Sequence, residues 1–163
     1  YLSDSRWNEA AIATLSLAKK FKKPGILDAE APVSEQAVDL ASHVAFSKQG
    51  LSHFTNKDDV TASLKVIEND FNSWACVTDG SNGVYFLEEG TLCNLPAPEI
   101  KAKDTLGAGD VWHGAFAVCL AEGKSESEAI KFSNLAAAIK CKKFGGQSSI
   151  PTRAEVNEFI NSK

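Results

Sequence analysis

The stretch Asp104-Thr105-Leu106-Gly107-Ala108-Gly109-Asp110 decides how this chain is read. Its small residues let the backbone approach a ligand closely. The apolar run that follows predicts a helix over 107–121, which places unpaired N–H groups and the positive end of the helix dipole at the turn. Together these make a socket for a phosphate. Asp110 falls in the first turn of that helix, where the dipole favours its ionised form and suits it to accept a proton beside a phosphoryl group.

Other phosphate motifs fit poorly. A Walker A loop needs Lys then Ser or Thr after the second glycine, and here Gly114 is followed by Ala115-Phe116. A dinucleotide fingerprint needs G-x-G-x-x-G, and here the third glycine is displaced to Gly114. A nicotinamide-dependent oxidoreductase is therefore disfavoured. A plain glycine turn with aspartate as a cap remains open on local pattern alone.

Outward from this turn, helices and strands alternate. Asn8 to Phe21 reads as a helix with Trp7, Ala11, Leu15 and Ala18 on one stripe. Gly25 to Asp28 reads as a strand, Ser34 to Leu40 as a short helix and His43 to Phe46 as a second strand. Thr55-Asn56-Lys57-Asp58 has capping-box form ahead of Val60, Leu64, Ile67 and Phe71 at helical spacing. Trp74 to Thr78 predicts a buried strand, and Gly83–Leu87 with Thr91–Leu95 a hairpin turning at Glu88-Glu89-Gly90. Ser125 to Glu128 is a capping box that opens a helix to about Lys140, stopped by Gly145-Gly146. Thr152 to Glu155 caps a last helix with Val156, Phe159 and Ile160 inward. The alternation predicts a layered α/β domain with a mainly parallel sheet flanked by helices.

The 163 residues amount to one domain of ordinary globular composition, 44% hydrophobic and 23% charged, with net charge −4. That charge disfavours nucleic acid or an anionic membrane as partner. The cluster from Lys19 to Lys23 reads as the solvated end of a helix. Cys76, Cys93, Cys119 and Cys141 form no C-x-x-C pair and read as buried, reduced thiols, consistent with a cytoplasmic protein. Ala115 to Ala121 is too short to cross a bilayer. The chain has no Met and starts at Tyr1, which is expected not to be a native start.

Asp104-Thr105-x-Gly107-Ala108-Gly109-Asp110-x-x-x-Gly114-Ala115 resembles the C-terminal signature of the ribokinase-like (phosphofructokinase-B type) carbohydrate kinases. Val77-Thr78-Asp79-Gly80-Ser81-Asn82-Gly83 resembles that family's V-T-x-G-x-x-G nucleotide segment. Phe132 to Gly146, followed by Ser149-Ile150-Pro151, resembles its helix and loop over adenine. Asp104 to Ala115 also has some likeness to bacterial sulfofructose kinases.

The resemblance implies ATP-dependent phosphorylation of a sugar hydroxyl, with Mg²⁺ and in many members K⁺. Asp110 becomes the general base, and Gly107, Ala108 and Gly109 the anion hole. Thr78 and Gly80 are implied along the nucleotide and Asn134 near its base or ribose. Asp104, Gly145 and Ser149 fall where a monovalent cation is bound, largely through backbone carbonyls. The bland rivals are a strand end and turn at Thr78 and Gly80, and a surface amide at Asn134. His113 is read as packed or capped rather than catalytic, and Asp28 as either facing the site or ending a strand. A non-catalytic nucleotide-binding or scaffold relative is the alternative function.

Two departures stand out. Many members carry N-x-x-E where this chain has Ser47-Lys48-Gln49-Gly50, which leaves Mg²⁺ to be held mostly by ATP and water or with the help of a different acid. The family's N-terminal half and β lid have no visible counterpart ahead of Tyr1. Residues 1–163 are thus expected to be the C-terminal, ATP-binding and catalytic part of a single ribokinase-like domain, inactive without that half. The full-length kinase is expected to be a homo-oligomer.

Overall fold

The structure is a computed structural model and describes residues 1–161. The chain forms two compact units, Tyr1–Asn94 and a second beginning at Leu95.

The first unit is a six-stranded sheet with strands in sequence order: β1 (Leu2–Asp4), β2 (Ile26–Ala29), β3 (His43–Ser47), β4 (Trp74–Thr78), β5 (Val84–Glu88) and β6 (Thr91–Leu95). Strands β1 to β4 run parallel, each crossover carrying helix, and β5 turns antiparallel to β4. The crossovers are α1 (Asn8–Lys20), α2 (Glu35–Leu40), and the pair α3 (Lys48–Thr55) and α4 (Val60–Asp70). Ile26, Leu27, Val44, Phe46 and Val77 are buried, as parallel strands covered by helices require. Leu15, Val38, Leu51 and Leu64 close the core from the helices.

Most local expectations hold here. Ala11, Leu15 and Ala18 form the buried stripe of α1, and Lys19 and Lys20 end it in solvent. Trp7 does not belong to that stripe: it precedes the helix in extended conformation and is 69% exposed. The hairpin turns through Glu89 and Gly90, both at positive φ, which is the geometry a two-residue loop between right-twisted strands favours.

Two expectations are corrected. Thr55 ends α3 rather than capping the next helix; its hydroxyl bonds Leu51 O and Ser63 Oγ at 2.9 Å each. Asn56, left-handed at φ 54°, breaks the chain, and Asp59 caps α4 by accepting from Ala62 N at 2.7 Å. Phe71 lies just past α4 in extended conformation, packed on Phe54. Two elements have no counterpart in the sequence reading: α3, and the three-residue β1, defined by its pairing with β2.

The second unit holds α5 (Ala108–Ala121), α6 (Glu126–Cys141) and α7 (Arg153–Asn161). Both capping boxes form. Ser125 and Glu128 exchange bonds at the start of α6, and Thr152 and Glu155 at the start of α7. Those backbone N–H bonds hold both glutamates below the usual carboxylate range. Helix α6 ends at Cys141, ahead of the glycine pair expected to stop it. Ala136, Ile139 and Val156 form the core, with Phe132 and Phe159 against them. Ile160, expected inward, is 48% exposed.

All four cysteines are free. Burial pushes the thiols of Cys76, Cys119 and Cys141 up, which makes them inert. Cys93, expected buried, is partly exposed on β6. Among the described residues no helix is long and apolar enough to cross a membrane.

Candidate active site

Segment 104–110 is built by short-range bonds. Asp104 Oδ1 accepts from Leu106 N at 3.0 Å, and Thr105 O accepts from Ala108 N at 3.1 Å. These two turns bring the chain to Gly107, which caps α5 in the left-handed region at φ 72°. A side chain there is strained, so glycine is the fitting residue. The first intrahelical bond runs from Val111 N to Gly107 O. The Gly109 and Asp110 N–H groups precede it and point out of the helix start, where the dipole favours an anion. The Ala108 N–H is already given to Thr105, which narrows the expected anion hole.

Asp110 is exposed, and its carboxylate reaches back over the turn: a Cβ built on Gly107 lies 3.5 Å from Asp110 Oδ2. Beside it opens a cavity of about 560 Å³ bordered by Gly107, Asp110, Phe132, Lys140, Gly146 and Ile150. That volume suits a small-molecule ligand. His113 does not reach into it. The ring is buried and its Nδ1 bonds Gly109 O at 2.8 Å, the packed role expected of it.

Asp104, Gly145 and Ser149 come together, but as partners of one another. Asp104 Oδ2 accepts from Gly145 N at 3.1 Å. The Ser149 hydroxyl donates to Gly145 O, and also to Gly146 O at 2.8 Å. The N–H groups of Leu106 and then Gly145 hold the Asp104 carboxyl below the usual carboxylate range, with the Lys140 ammonium adding to the effect against partial desolvation.

Asn134, expected near the nucleotide, is held by bonds within its own unit. It is 5% exposed on α6. Its Oδ1 accepts from Trp112 Nε1 at 2.8 Å, and its Nδ2 donates to Leu95 O at 3.0 Å and Pro96 O at 3.3 Å. Both contacts of the amide nitrogen lie inside the unit. Trp112 in turn stacks on Phe116 at 4.9 Å.

Thr78 and Gly80 lie in the first unit, at the carboxyl end of β4, where ligands of open α/β sheets bind. Thr78 Oγ1 donates to Phe46 O at 3.3 Å. Gly80, at φ 52°, opens an exposed turn in which Asp79 N donates to Gly83 O at 2.8 Å, and nothing stands within 4 Å of a Cβ at Gly80. Asp28 does not end its strand: Ala29 follows within β2.

Ser47-Lys48-Gln49-Gly50, the stretch without N-x-x-E, is the start of α3, with Ser47 Oγ accepting from Gly50 N at 3.0 Å. Gly50 is buried so close to the Ala29 carbonyl that a Cβ would overlap it, so this backbone admits no acid there. Among the described residues no group of three or more His, Cys, Asp or Glu side chains is placed to hold a metal.

A family model described as pfkB family carbohydrate kinase matches residues 1–153. The chain belongs to that family. Among relatives of this pfkB-family chain, Bacillus subtilis (strain 168) ribokinase is 30% identical over 130 residues, covering 80% of the chain and 43% of the relative. A crystal structure of a candidate ribokinase from Agrobacterium tumefaciens superposes with TM-score 0.91 at 36% identity, over 99% of this chain and 55% of that one. Arabidopsis thaliana ribokinase complexed with ribose and ATP gives TM-score 0.87 at 25% identity, over 98% and 55%. The fold is ribokinase-like. The pfkB-family chain spans about half the length of these relatives.

Lys140 is the site residue the sequence reading missed. It sits between Ile139 and Cys141 at the end of an alanine-rich helix, and that apolar setting was the available signal.

Proposed function

We propose that the protein containing this chain transfers the γ-phosphoryl group of ATP to a hydroxyl of a sugar or sugar derivative. Family membership supports a carbohydrate kinase, and the ribose and ATP held by the Arabidopsis relative indicate the substrate class. The observation that carries the reading is the Asp110 carboxylate lying over Gly107 at the start of α5, beside the cavity.

Phosphoryl transfer asks for positioning and charge stabilisation more than for covalent chemistry by the protein. The terminal phosphate would rest on the Gly107–Gly109 turn, accepting from the Gly109 and Asp110 N–H groups. Asp110 takes the proton of the sugar hydroxyl as its oxygen bonds to phosphorus. The bond from phosphorus to the β,γ-bridging oxygen breaks and ADP leaves. Thr78 and Gly80 are assigned to the nucleotide. Mg²⁺ would neutralise phosphate charge; without a protein cluster among the described residues, ATP and water would carry most of its ligands. Residues 1–163 belong in this reading to one ribokinase-like catalytic domain and, taken alone, are not expected to phosphorylate sugar.

The test is Asp110→Asn in the full-length protein, assayed with ATP, Mg²⁺ and a sugar panel. Loss of a general base lowers kcat by about 10²–10⁴-fold while ATP affinity stays within about twofold. Turnover at the wild-type rate removes Asp110 from the mechanism.

A further inference from the structure

Lys140 lies in the last turn of α6 and is 1% exposed. An ammonium so deep needs oxygen partners. Its Nζ donates to the Asp104 carbonyl at 3.1 Å and stands 3.6 Å from Asp104 Oδ2. The Asp104 segment is held to the same helix end by its backbone, since Cys141 O accepts from Lys103 N at 2.8 Å and Asp104 N at 3.3 Å. Helix carboxyl ends favour a cation, so the charge sits where the dipole asks for it.

The family resemblance implies a monovalent cation at Asp104, Gly145 and Ser149, bound largely by carbonyls. The residues present do not suit one. The Asp104 carbonyl already takes the Lys140 ammonium, and the Gly145 carbonyl takes the Ser149 hydroxyl. The Asp104 carboxylate takes two backbone N–H groups. A second cation on these oxygens would stand close to the ammonium in a poorly solvated spot, where like charges repel strongly.

We propose that the Lys140 ammonium is a tethered cation that replaces the expected potassium ion. It fixes Asp104, and through the Leu106 bond the approach to Gly107, so the protein needs no monovalent-cation activator. Lys140 is a positioning residue on this account, bordering the same cavity as Gly107 and Asp110. The inference rests on reading 107–110 as the phosphate turn.

The test compares the full-length protein with Lys140→Ala and Lys140→Met in potassium chloride and in tetramethylammonium chloride at equal ionic strength. Thermal midpoint is read first, because it needs no turnover and so stands apart from the kinase reading. The wild type is expected to melt within about 1 °C in the two salts, whereas a filled cation site would raise it by about 3 °C or more. The alanine variant, with space and oxygens freed, is expected to become potassium-sensitive in melting. Its turnover is expected to fall about 10-fold or more in tetramethylammonium and to recover in part with potassium or ammonium. The methionine variant fills the space without charge and keeps the comparison available if alanine fails to fold. It too should lose turnover, but without recovery. A potassium-stabilised or potassium-stimulated wild type overturns the proposal and leaves the kinase reading intact. So does an alanine variant indifferent to the cation supplied.

Discussion

Replacing Asn134 by alanine tests whether that amide holds the fold or a nucleotide. Asn134 and Trp112 are each 5% exposed, so the indole N–H left behind has little access to water. A buried donor without an acceptor costs about 1–3 kcal/mol. Removing about 30 Å³ of side chain at roughly 24 cal/mol per Å³ adds ~0.7 kcal/mol. The Leu95 and Pro96 carbonyls are only part-buried and add less. The expected destabilisation is therefore about 2–4 kcal/mol, or roughly 4–8 °C in Tm at about 2 °C per kcal/mol for a protein longer than this chain. Calorimetric melting of the full-length protein measures it. A cycle with Trp112→Phe should show a coupling of about 1 kcal/mol, because each substitution removes the same bond. The ATP KM of the folded variant should stay within about twofold. Wild-type stability with a KM raised tenfold would refute this account and return Asn134 to the nucleotide.

Gly107→Ala forces a side chain into the left-handed region at φ 72° but meets Asp110 Oδ2 only at ordinary contact distance. It should cost about 1–2 kcal/mol in Tm measurements and lower kcat more than it raises the KM for sugar. For Asp104, the folded carboxyl lies below its unfolded value, so its contribution is present above about pH 4 and lost as pH falls through the folded value. Stability-against-pH curves of wild type and Asp104→Asn should thus differ at neutral pH and converge in acid; a gap unchanged at pH 2 would contradict this. Gly50→Ala meets the Ala29 carbonyl and should destabilise by about 1–3 kcal/mol in urea titration, with more loss for Gly50→Glu, so restoring an acid there should not improve activity.

What the sequence determined by itself depends on residues a few positions apart, although not every local pattern held: the capping form at Thr55 gave way to Asp59. The capping boxes at Ser125 and Thr152, the Ala11, Leu15 and Ala18 part of the α1 stripe and the turn at Glu89-Gly90 each follow from spacings of seven residues or fewer, and the structure contains these. The Gly107 turn was legible for the same reason: its bonds run from Asp104 to Leu106, Thr105 to Ala108 and Gly107 to Val111. Distant partners decided the rest. β1 is three residues with no apolar run and exists because β2 lies beside it. α3 hides behind a glycine that close packing on Ala29 makes necessary. Asn134 read as a surface amide or a nucleotide contact until Trp112, 22 positions earlier, proved to aim its N–H at it. Lys140 marked only the approximate end of a helix, and it is the Asp104 carbonyl, 36 positions back, that gives its buried charge a partner. A side chain's period along a helix says which way it faces; what meets it there is set by how the chain returns, and local spacing carries no record of that.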